Sequence, residues 1–223
     1  DMTMRLAVMA GGPDSSDAID VTSCEPDESN PNEPSTDPPR APSVTDEVRR
    51  NLLRSRTVLI FGEIDSALAQ ATTAQLLALA SDSDAPIRIV LHSPGGHVES
   101  GDTIHDVIRF IRPEVKMIGT GWVASAGALI FVAAARVHRY ALPNTRFMLH
   151  EPIGGLRGRA ADIEIEANQI VAARERLNRI FAAATGQDLA KLARETTRNL
   201  WMNADEAREY GLVHRVIERV DEV

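Results

Sequence analysis

The chain has 223 residues, enough for one domain with an appended tail, and carries a formal net charge of −8 at pH 7. The acidity is local: residues 1–48 hold eleven acids and two bases, a net of −9, which leaves 21 acids and 22 bases, a net of +1, for the body. No basic stripe points to nucleic acid, no run of about 18 apolar residues points to a membrane helix, and the one cysteine, Cys24, excludes an intrachain disulfide. Hydrophobic residues make up 43% of the chain and aromatics only 4%, so an aliphatic core is expected.

Residues 1–43 hold seven of the twelve prolines, set among Ser, Asp, Asn and Glu. Such a segment buries too little apolar surface to offset its ordering entropy, so a disordered acidic leader is expected, with a folded domain over 44–223. The leader begins with a short apolar patch, but it lacks a signal-peptide core and acids follow it. The cytoplasm is therefore the expected compartment.

A helix is expected over 45–54, then a β-rich run over 57–61 that Gly62 ends. Asp65 and Ser66 can cap a helix reaching about residue 80. A strand over 87–91 runs into the turn His92-Ser93-Pro94-Gly95-Gly96-His97, and a helix follows over 98–111. A strand over 115–119 precedes Gly121-Trp122-Val123-Ala124-Ser125-Ala126-Gly127, and the alanine-rich run 128–135 suits a helix. Residues 140–144 and 146–149 read as a β pair. Strand and helix alternate, which argues for an α/β fold with right-handed crossovers.

Ser125 thus stands where a strand gives way to a helix, between glycines that permit a tight turn. Free N–H groups at a helix start favour developing negative charge beside its hydroxyl. His150 closes the strand Arg146-Phe147-Met148-Leu149, and Pro152 stops it. A serine on a helix start and a histidine at a strand end suit a nucleophile and its general base. Helix starts of small residues and polar histidines at strand ends are also common without any catalysis, so the two residues alone leave both readings open.

Residues 162–184 contain no Gly or Pro and follow a glycine-rich loop over 154–159. Ile163, Ile170, Leu177 and Ala184 recur every seven residues, a narrow apolar stripe. A helix of roughly 26 residues would be about 39 Å long, more than the body requires. It either folds along the sheet or protrudes to meet another subunit. Helices over 189–195 and 204–210, with a polar turn between them, and a strand over 213–217 complete the chain.

Several short motifs then stand in a fixed order. They are Ser93-Pro94-Gly95-Gly96, Ala124-Ser125-Ala126-Gly127, Arg139-Tyr140-Ala141-Leu142-Pro143-Asn144, His150-Glu151-Pro152-Ile153-Gly154-Gly155, Asp162-Ile163-Glu164-Ile165, and Glu206-Ala207-Arg208-Glu209-Tyr210-Gly211-Leu212-Val213. Any one is weak. Together, across residues 58–217, they closely resemble the proteolytic subunit of the Clp protease. The resemblance implies a crotonase-like α/β fold whose long helix is a protruding handle. It implies rings of seven stacked in pairs around a chamber, fed with unfolded polypeptide by an AAA+ unfoldase, and it leaves room for a sister subunit in mixed rings. It makes Ser125 the nucleophile, His150 the base, and the backbone N–H groups of Gly96 and Ala126 the oxyanion donors.

The sequence also departs from that family. The third triad position, normally Asp, falls in Arg198-Asn199-Leu200-Trp201-Met202-Asn203, so Asn199 stands there. Its amide oxygen can accept from His150 Nδ1–H but supplies no charge to balance an imidazolium. Thr197 replaces an acid that helps link rings in many relatives. Glu151, Arg157 and Arg159 replace residues that are usually polar and uncharged, and Ala126 replaces a usual Met.

His92 and His97 bracket the first turn without a carboxylate or cysteine at ligand spacing, so neither a metal site nor a cofactor is expected. His105, His138 and His214 read as surface or edge residues. Three functions compete: a serine endopeptidase subunit with a Ser125, His150 and Asn199 triad, a weakly active or inactive structural subunit of a mixed ring, and an acyl-CoA enzyme on the related crotonase fold.

Overall fold

Apolar runs alternating with helical ones fold into a seven-stranded sheet ordered β1-β2-β3-β4-β7, with β5 pairing β3 and β6 pairing β5. The computed structural model describes residues 44–223 except Leu156, so the expected leader over 1–43 lies outside the described residues. The strands are β1 (Thr57–Phe61), β2 (Ile87–Ser93), β3 (Val115–Ala124), β4 (Arg139–Ala141), β5 (Arg146–Leu149), β6 (Leu200–Asn203) and β7 (Arg215–Val216). Helices α1 (Val44–Arg54), α2 (Ser66–Asp82), α3 (Val98–Phe110), α4 (Ala126–Phe131), α5 (Ala160–Thr185), α6 (Leu189–Glu195) and α7 (Ala204–Tyr210) connect or flank them. Every strand pair is parallel except β5 with β6.

Local chemistry fixes the helix starts. Asp65 accepts from Leu68 N at 2.7 Å to cap α2, and Asp188 accepts from Lys191 N at 2.8 Å to cap α6. At α7, Asn203 and Glu206 form a reciprocal capping box. The core is aliphatic. Ile60, Ile89, Leu91 and Met117 are fully buried in the parallel strands, and Phe131 meets Phe147 edge-on at 5.0 Å.

The expected β pair of residues 140–144 with 146–149 is corrected. β4 and β5 do not pair with each other; both run parallel to β3, at Met117–Gly119 and at Trp122–Ala124 respectively. A turn at 142–145, closed by Thr145 N–H to Leu142 O at 3.0 Å, interrupts what is otherwise one strand edge. Thr145 Oγ1 also donates to Gly119 O at 2.9 Å, so the interruption stays hydrogen-bonded.

β3 is ten residues long and runs on to Ala124, past its expected end at Gly119. A β2/β3 irregularity near Leu91 and Ser93 is filled by His92, whose Nδ1 accepts Trp122 N–H at 3.0 Å. That places His92 in a structural role.

α5 has the expected length, 26 residues. Its buried residues, Leu177, Asn178, Phe181 and Thr185, all lie in its C-terminal part. Ile163, Ile165 and Val171 are exposed, so only the last turns of α5 belong to the core.

Candidate active site

The chain leaves β3 at Ala124, and Ser125 takes φ 53° and ψ −120° before α4 begins at Ala126. For a residue with a Cβ this is a strained conformation, held here by neighbours on three sides. Ser125 N–H donates to Met148 O of β5 at 2.9 Å, and its carbonyl accepts Leu129 N–H at 3.1 Å. On the third side, a Cβ added to Gly95 would lie 2.7 Å from Ser125 Cβ, so the serine side chain already fills that space.

β5 supplies the partner. It ends at Leu149, and the next residue, His150, places Nε2 at 2.8 Å from Ser125 Oγ. With the proton on Nδ1, the ring accepts the serine O–H, the arrangement a general base requires. Both residues are half-buried.

The Gly95-Gly96 turn is held against the loop before α2. Ile64 N–H donates to Gly95 O and His97 N–H donates to Ile64 O, each at 2.8 Å. Gly96 has φ 148°, and a Cβ there would fall 2.3 Å from Ile64 O. Only glycine fits. Gly96 N–H has no backbone acceptor among the described residues. Ala126 opens α4, where N–H groups lack intrahelical acceptors. Gly96 and Ala126 therefore each offer a backbone N–H, and neither donor depends on a side chain.

Beside Ser125 lies a narrow apolar pocket of about 10 Å³. Val98, Leu129 and Leu149 line it with Leu177 and Phe181, both from the buried end of α5. The helical stripe signalled Leu177, but nothing in the sequence tied that residue to Ser125.

Asn199 precedes β6, and the β5/β6 pairing ends on that side at Leu149 with Leu200. Asn199 and His150 are the residues that flank this last rung, each just outside its strand. Asn199 is exposed, and no hydrogen bond joins it to His150 among the described residues. β6 was expected as part of a polar turn; Trp122 edge-on to Trp201 at 5.7 Å and Arg146 at 4.5 Å over the Trp201 ring help hold it.

The other histidines divide. His97 meets Glu99 at 3.0 Å and Ser100 Oγ at 2.9 Å, and His138 approaches Glu114 at 3.6 Å. His105, expected at the surface, is 6% exposed, because it sits on the inward side of α3 beside the buried Ile104 and Ile108. Among the described residues no group of three or more His, Cys, Asp or Glu is placed to hold a metal, and no helix is long and apolar enough to cross a membrane.

Most of the chain has known relatives. The Clp protease family model matches residues 40–220. An ATP-dependent Clp protease proteolytic subunit 3 from Rhizobium etli is 59% identical over 171 residues, covering 77% of this chain and 88% of that protein. The solved structure of ClpP1 from Listeria monocytogenes is 48% identical with a TM-score of 0.72, covering 78% of this chain and 98% of that one. An Asn-to-Asp mutant of the same ClpP1 is 50% identical with a TM-score of 0.73, over the same shares of each chain. The sheet and the handle-like α5 are thus those of the ClpP fold, and the chain belongs to the Clp protease family.

Proposed function

We propose that this chain is a serine endopeptidase subunit of an ATP-dependent Clp protease, cutting unfolded polypeptides inside a ring chamber. The observation that carries the reading is the 2.8 Å contact of His150 Nε2 with Ser125 Oγ on a strained strand-to-helix turn. Ser125 Oγ attacks the scissile carbonyl as His150 Nε2 takes its proton. The carbonyl oxygen, now negative, receives the N–H groups of Gly96 and Ala126. His150 then passes the proton to the leaving amine, and the acyl-serine remains. Water, deprotonated by the same imidazole, releases the second product and regenerates the hydroxyl.

Asn199 takes the third position, its amide oxygen turned to His150 Nδ1–H when the strand edge closes. The relatives' names make them proteolytic subunits of an ATP-dependent protease, which supports an assembly, here proposed as paired heptameric rings served by an AAA+ unfoldase in the cytoplasm. The acidic segment 1–43 is taken to be dispensable for that assembly, and sedimentation of a chain lacking it tests this.

One observation favours a second reading. His150 Nδ1 has no acceptor among the described residues, and Asn199 offers no charge, which suits a weakly active or structural member of a mixed ring. A fluorophosphonate probe separates the two. Stoichiometric labelling of Ser125, lost in Ser125→Ala, supports the peptidase. A correctly assembled wild-type protein that never labels would sink it. The acyl-CoA reading lacks a use for the Ser125 and His150 pair and falls with the family assignment.

A further inference from the structure

A second cleft, of about 510 Å³, opens between the C-terminal end of α3, the segment that follows α4, and the last turns of α5. It shares no lining residue with the pocket beside Ser125. Arg109, Arg136 and Arg139 line it with His105, and no carboxylate does. Arg109 and Arg136 are exposed, and neither side chain makes a hydrogen bond or ion pair with a described residue.

Arg139 is different in kind. It is 4% exposed and donates Nε–H to Ala134 O at 2.8 Å, Nη1–H to Ala184 O at 2.9 Å and Nη2–H to Val132 O at 3.2 Å. A guanidinium has five N–H groups, so two are left without an acceptor among the described residues. Burial first, then the charges of Arg136 and Arg109, pull its pKa down to about 10. Three positive groups therefore converge on one concavity that contributes no negative charge.

We propose that this cleft binds a phosphate-type oxyanion, with buried Arg139 as the fixed base and Arg109 and Arg136 as the arms that close on it. Three planar guanidinium forks match an oxyanion with several acceptor oxygens better than a single carboxylate. The apolar wall at Ile180 and Val132 suits the ester side of a small phosphomonoester. The site stands independently of the peptidase reading, since it uses none of the residues around Ser125.

The test uses the full chain and inorganic phosphate at constant ionic strength, with chloride as the balancing anion. Phosphorus-31 line broadening and a saturable rise in Tm are expected. Arg109→Gln and Arg136→Gln should each raise the phosphate Kd by about tenfold or more, the scale of losing charge-assisted hydrogen bonds. Both side chains are exposed, so either variant should fold, which circular dichroism checks. Glycerol phosphate binding more tightly than phosphate would identify an ester as the ligand, and weaker binding would identify the free ion. A non-saturating response, or equal binding by wild type and variants, overturns the proposal. It also falls if the substitutions alter sedimentation while phosphate has no effect, because a neighbouring subunit's carboxylate then fills the cleft.

Discussion

Ile64 and Gly96 form an isolated parallel bridge that holds one backbone donor beside Ser125. A methyl group at position 96 would sit 2.3 Å from Ile64 O and 2.7 Å from Ile64 N, and both are backbone atoms that cannot swing aside. Gly96→Ala should therefore push the turn away from Ile64 and misplace the N–H. Loss of an oxyanion donor typically lowers kcat by about 10²–10³-fold. Peptide hydrolysis should fall on that scale while the Ser125 and His150 contact persists. Unchanged kcat in a folded variant would remove Gly96 from the site.

The exposed part of α5 makes a second prediction. Ile163 is 38% exposed and Ile165 is 59% exposed on a helix whose burial begins only at Leu177. Apolar side chains left open in this way suit a surface for contact with another subunit. Replacing both with Glu should leave secondary structure unchanged and lower the sedimentation coefficient of the assembly. An unaltered assembly would place the ring contact elsewhere.

The parts of the fold that repeat a period were legible in the sequence, and the parts set by tertiary pairing were not. Residues 57–61, 87–91 and 162–184 declared themselves through runs and spacing, and all three are regular elements. β6 did not, because Leu200-Trp201-Met202-Asn203 is four residues long and is held by cross-strand contacts with β5 and by the two tryptophans. β4 and β5 looked like a hairpin because a turn lies between them; only the length of β3 shows that both share one edge. Within the site, Ser125 and His150 could be read from their positions at element ends. The support from Ile64 and Met148 could not, since both act through backbone groups.

A pH dependence follows from Asp102, which pairs with Arg176 across α3 and α5. Burial raises its pKa above 3.8, Arg176 opposes that, and Asp106 and Glu99 reinforce it while His105 opposes it. The folded state therefore keeps this proton at pH values where the unfolded chain has released it. Stability from this group is present below 3.8 and is lost as pH rises through the folded pKa. Asp102→Asn should remove that slope, so the Tm difference between wild type and variant should change over the window just above 3.8 and level off at higher pH. Parallel Tm curves across that window would contradict the assignment.

The last prediction rests on the rung that joins Leu149 to Leu200. His150 and Asn199 flank that rung, and if the register extends one step further a carboxylate at 199 would face His150 Nδ1, which has no acceptor among the described residues. Asn199→Asp should raise kcat for short peptides, because an Asp both fixes the Nδ1–H tautomer and stabilises the imidazolium that forms as Ser125 attacks. In trypsin-type triads the reverse change costs about 10⁴ in kcat. The gain here should be smaller if the amide oxygen already turns to Nδ1 during turnover. Ser125→Ala should abolish hydrolysis in either background, and assembly measured by sedimentation should not change with the Asp. Suppose instead that wild type and Asn199→Asp share one kcat. His150 would then draw its orientation from another group, and Asn199 would be only a strand-edge residue.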